Sequence, residues 1–106
     1  MILYHATPIN NMDNIDRCGL QPCDNRYSNF DRDLKQYGVY GFTAIKDAIG
    51  FAKDQCWSGG VAIYSFNADD NSLILDPEYD DLDYGTAYFY PTEDSVNVTL
   101  VQVIEY

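Results

Sequence analysis

The sequence predicts a single α+β domain, with five or six strands and two short helices in its N-terminal half. Three observations carry this. At 106 residues the chain has the length of one domain, and 46% hydrophobic residues are enough for a packed core. Short runs rich in Val, Ile, Tyr and Phe recur along it, closed by Gly, Pro, Asn or Asp. Apolar residues take helical spacing around Ile15 and between Ile45 and Cys56.

The elements follow in order. Residues 2–5 read as a short strand with His5 at its end. Asn11 is placed to cap a helix over 12–18, with Met12 and Ile15 facing inward. Gly19 sits where a C′ glycine ends a helix, and Pro22 forbids continuation. Residues 21–37 are polar and read as a long irregular loop, which holds three of the six bases, Arg26, Arg32 and Lys35. Residues 39–42 read as a strand that runs straight into a helix. Thr43 is its expected N-cap, and Ile45, Ala48, Ile49, Ala52 and Cys56 form one apolar face. Ser58-Gly59-Gly60 is a breaker. Residues 61–67 read as a strand apolar on both sides, 69–72 as a turn, and 73–75 as a short strand. Residues 76–84 carry Asp76, Glu78, Asp80, Asp81 and Asp83, and five acids so close read as a solvated, exposed loop. Residues 87–90 are a strand and 91–95 a turn. Residues 96–105 read as a long closing strand with Val96, Val98, Leu100 and Ile104 on one face.

Composition limits the partners. Seventeen acids against six bases leave a formal charge of −11. Nucleic acid and anionic membrane surfaces are repelled, and a protein with a basic surface is favoured. No stretch is long and apolar enough to span a bilayer. The opening Met-Ile-Leu-Tyr-His-Ala-Thr-Pro has no basic region before an apolar run, so no signal peptide is expected. Cys18, Cys23 and Cys56 are then expected as reduced thiols of a cytoplasmic protein. With no Cys-x-x-Cys pair and a single histidine, His5, no metal site is expected. The acids of 76–84 do not follow a calcium-loop spacing.

Residues 38–52 stand out for chemistry. Tyr40 lies on the strand and Phe51 more than two turns into the helix, with ten residues between them. Two aromatics on a strand–helix corner can flank a flat ring. Leu3-Tyr4-His5-Ala6-Thr7 resembles the first motif of the ADP-ribosyltransferase superfamily, a strand ending Tyr/Trp-His-Gly-Ser/Thr. Cys18-Gly19-Leu20 is similar to the Gly-Leu that follows its first helix. Gly38-Val39-Tyr40, ten residues, then Phe51 resembles its second motif, Gly-x-Tyr with a second Tyr. Glu93, ahead of the last strand, stands where its late glutamate falls. The order is that of the His-Tyr-Glu class, which includes poly(ADP-ribose) polymerases and diphtheria-like toxins.

That resemblance implies a small split β-sheet and NAD as cofactor and substrate. By it, His5 would bond the nicotinamide ribose and Ala6 would meet the carboxamide through its backbone. Tyr40 and Phe51 would flank the nicotinamide ring. Glu93 would stabilise the oxocarbenium-like state as nicotinamide leaves, with Asp94 and Glu105 as the other late acids. Phe51 stands in place of Tyr, Ala6 in place of Gly, and Ala48 where Ser is frequent. Two functions are thereby expected. One is an NAD-dependent mono-ADP-ribosyltransferase acting on a protein target. The other is an inactive acidic binding protein on the same scaffold, imitating nucleic acid to inhibit a basic, nucleic-acid-binding partner. Either suits a phage-type counter-defence protein.

Overall fold

A computed structural model describes residues 1–24, 37–76 and 85–105, with backbone alone at 23, 24, 37 and 76. The loop bases Arg26, Arg32 and Lys35, and the expected exposure of the 76–84 acids, lie outside it. The elements are β1 (Ile2–Pro8), a 3-10 turn at Ile9–Asn11, α1 (Met12–Cys18), β2 (Cys23–Asp24), β3 (Tyr37–Phe42) and α2 (Ile45–Asp54). After them come β4 (Gly60–Asn67), a 3-10 turn at Asp70–Ser72, β5 (Ile74–Asp76), β6 (Ala87–Pro91) and β7 (Thr99–Glu105). The fold class is α+β. All pairings are antiparallel, in the order β5-β6-β3-β1-β4-β7, with β2 added to β3.

Strand alternation divides the core between the two sheet faces. On one face Leu3, Val39, Ala62, Tyr64 and Phe66 pack with Ile15 of α1, Leu20 and Val96. On the other, Ala6, Phe42, Val61, Ile63 and Ala87 pack with Ala48 and Ala52 of α2. The small alanines let α2 lie close on the sheet, and both are fully buried. β4 is covered on both sides, which is why its run of 61–64 is apolar without alternation.

Four sequence expectations are corrected. Asn11 holds the N-cap position of α1 as expected, but its side chain makes no cap bond. The 3-10 turn runs directly into α1, so Asn11 already has helical angles, and its Nδ2 donates to Thr7 Oγ1 at 2.9 Å. Thr43 is not the cap of α2. Ala44 holds that position without a side-chain bond, while Thr43 N–H donates to the Thr86 carbonyl, prolonging the β3–β6 pairing. Cys56 is exposed and off the apolar face, because α2 ends at Asp54 and Cys56 turns to φ 55°. Finally, the closing strand begins at Thr99. Val96 makes a separate bridge to Leu20, with both N–H···O bonds at 2.9 Å. A bulge leaves Val101 without a partner on β4, so Leu100 opposite Tyr64 and Ile104 opposite Val61 face opposite sides.

The loop expected over 21–37 contains β2. Gly19 closes α1 at φ 77°, ψ 176°, a region that is essentially glycine's own. A Cβ there would also stand 2.9 Å from the Val96 carbonyl oxygen.

Candidate functional site

One edge of β3 is shared between two strands. β1 is registered with it at Tyr4 opposite Phe42, and β2 at Cys23 opposite Gly38. Between those two points His5 meets β3 through its side chain: its Nδ1 lies 2.8 Å from the Tyr40 carbonyl oxygen. A carbonyl only accepts, so Nδ1 carries the proton and Nε2 is the acceptor nitrogen of the neutral ring. Burial pulls the imidazole below its usual pKa, and the bond to Tyr40 opposes that shift without cancelling it.

Beside the His5–Tyr40 bond lies a recess of about 300 Å³, near the lower end of small-molecule sites. His5, Thr7 and Asn11 line it from the β1 side, Asn14 and Ile15 from α1, and Gln21, Val39 and Tyr40 from the β3 side. Thr7 is only 5% exposed and is held by Asn11. Gln21 donates to the Cys18 carbonyl at 2.9 Å, fixing the rim. Among the described residues the lining is amides, a hydroxyl, an imidazole, the Tyr40 phenol and aliphatic walls, with no carboxylate, in a chain of charge −11. Such a set bonds hydroxyl and amide groups of a neutral ring or sugar.

Tyr64 stands beside His5 on β4. Its hydroxyl donates to Asp16 Oδ1 at 3.2 Å. Its pKa is pushed up to about 12, by burial first, then by that bond and the charges of Asp16 and Asp13. Tyr64 is therefore a neutral tie between β4 and α1 that holds the wall of the recess.

The other expected site residues are distributed as follows. Tyr40 meets His5 through its backbone. Its ring packs on Phe89, centroids 4.9 Å apart, on the face covered by α2. Phe51 lies on that same face, its ring 5.5 Å from Phe42 and 6.3 Å from Trp57. By alternation His5 belongs with Leu3 and Thr7 to the α1 face, while Ala6 packs against α2. Glu93 and Asp94 are exposed in the turn after β6, where Asp94 N–H bonds Thr92 Oγ1 at 3.1 Å. Glu105 is exposed at the end of β7, opposite Gly60. The structure thus joins His5 to the Tyr40 backbone and leaves Phe51 and the three late acids outside the recess.

Sequence reasoning missed Thr7, Asn11, Asn14 and Gln21. The signal was available in part, since Thr7 and Asn11 are four apart across a Pro and bond locally. Gln21 reaches the recess only through the Leu20–Val96 bridge, a long-range pairing that no local pattern announces. Among the described residues no three His, Cys, Asp or Glu side chains are grouped to hold a metal ion. No helix among them is long and apolar enough to cross a membrane. No protein-family model, curated protein or solved structure matches the chain.

Proposed function

We propose that the chain is an ADP-ribosyltransferase-like domain that binds NAD at the His5 recess and transfers ADP-ribose to a protein target with a basic surface. The observation that carries this is the neutral His5 seated on the Tyr40 carbonyl between β1 and β3. A neutral imidazole fixed by one nitrogen offers the other to a ribose hydroxyl. Thr7, Asn11 and Asn14 supply further partners for hydroxyl or amide groups. NAD would contribute the glycosidic bond to nicotinamide. By the resemblance Glu93 would be the carboxylate that steadies positive charge on the ribose as that bond breaks, and from its exposed turn outside the recess it would have to be brought to the bound NAD to do so.

Thermal unfolding with and without NAD⁺ tests binding, since a ligand held only by the folded state raises the melting temperature. Nicotinamide release, with a cell extract as target source, tests transfer. His5→Ala should abolish the NAD⁺-induced shift. Glu93→Gln should keep the shift and lower nicotinamide release by about 10² or more. Release retained in Glu93→Gln and lost in Asp94→Asn assigns the role to Asp94.

A second reading has its own support. Glu93 is exposed on a turn, the recess has no carboxylate among the described residues, and the rings of Tyr40 and Phe51 lie on the other sheet face from His5. These favour an inactive scaffold whose acidic surface inhibits a basic, nucleic-acid-binding protein. A chain that ignores NAD⁺ yet binds such a partner, with affinity falling steeply as salt rises, establishes this reading over the first.

A further inference from the structure

We propose that the free edge of β7 pairs antiparallel with β7 of a second copy of this chain, joining two sheets across a two-fold axis. This surface is separate from the His5 recess and stands or falls independently of it.

β7 ends the sheet. Among the described residues it pairs with β4 alone, so its outer edge carries unpaired backbone donors and acceptors. Three of its apolar side chains are open to solvent: Leu100 and Val101 are each 43% exposed and Val103 is 37% exposed. Sheet edges are ordinarily blunted by Lys, Pro or inward charge. β7 has none of these except Glu105 at its last position. The first six residues of β7, Thr99 to Ile104, carry no charge. A basic peptide would find little to recognise on it.

The strand is also complementary to itself. Antiparallel pairing centred on Gln102 sets Val101 against Val103 of the second copy and Leu100 against its Ile104. Glu105 then faces Thr99, so no like charges meet. Apolar pairs of this kind stabilise antiparallel neighbours, and a self-complementary patch on a two-fold axis is what an isologous dimer requires. Two bodies of charge −11 repel. Salt therefore strengthens this contact by screening, the reverse of its effect on a basic partner.

Sedimentation equilibrium of the full chain is the test. The expected result is a reversible dimer whose dissociation constant falls about threefold or more between about 0.05 and 0.5 M NaCl. Val101→Lys and Val103→Glu, both at exposed positions, should each be monomeric with unchanged circular dichroism. Mixing the two should restore a dimer, because this register sets position 101 against position 103. As a readout that needs no variant, β7 amides should exchange more slowly at high protein concentration. A protein that stays monomeric throughout overturns the proposal. So does a dimer retained by both variants, or one that dissociates as salt rises.

Discussion

His5 is the one imidazole in the chain, so its ring protons can be followed by NMR without assignment. The titration midpoint should fall below 6.5, because burial disfavours the charged ring. The sign for stability follows. Below about pH 6.5 the unfolded chain takes up a proton that the folded ring resists, so stability falls as pH is lowered through that point toward the folded midpoint. His5→Gln should flatten this part of a plot of melting temperature against pH. If the slope between about pH 7.5 and 5.5, a unit either side of the free imidazole value, is the same in both proteins, burial of His5 is not a source of acid sensitivity. His5 was identifiable in the sequence as a candidate, yet its partner was not. A bond to a main-chain carbonyl 35 residues away leaves no trace in side-chain types.

Among the elements, β3 depends on a close approach. At Gly41 a Cβ would lie 2.5 Å from Leu3 Cβ and 3.1 Å from the Phe66 ring. Gly41→Ala should therefore force β1 and β3 further apart and cost about 1–3 kcal/mol, the usual scale of overpacking, measured by urea unfolding. Gly50 is the natural control. Nothing lies within 4 Å of its Cβ position in mid-α2, so Gly50→Ala should stabilise by up to about 1 kcal/mol. Both helices and every strand but β2 were legible because short β-type runs and the 45–52 apolar face are local signals. At the helix starts, the Asn11 side chain bonds back to Thr7 instead of capping, and Thr43 is taken up by a long-range bond to Thr86 that leaves Ala44 as the cap of α2. The closing strand was misread because one unpaired residue, Val101, reverses which side chains share a face. The aromatic corner was legible as aromatic and misleading as a site. Tyr40 and Phe51 share the α2 face, while the polar recess opens on the other.

At the scale of the whole molecule, a charge of −11 in 106 residues opposes the compact state by self-repulsion. Sodium chloride between about 0.05 and 0.5 M should raise the melting temperature by a few degrees, since screening weakens that repulsion more in the folded than the expanded chain. Calorimetry at fixed pH and low protein concentration reads this without a contribution from self-association. A melting temperature that falls with salt would mean that attractive pairs outweigh repulsion. The acidic composition was plain from the sequence, and so was the preference for a basic partner that it implies. The neutrality of β7 was equally visible there, but its place at the sheet edge was not.

β1, at the centre of the sheet, precedes both of its neighbours in the chain. Ile2 faces Asn67 and Tyr4 faces Phe42. On a ribosome the strand bearing His5 therefore emerges well before either flank exists, and its full pairing waits until residue 67 has cleared the exit. Closing so distant a pair is slow, because loop entropy is lost before the ladder compensates. A nascent chain stalled before β4 should be protease-sensitive throughout. One released through β4 should first protect β1, and protection of β6 and β7 should come last.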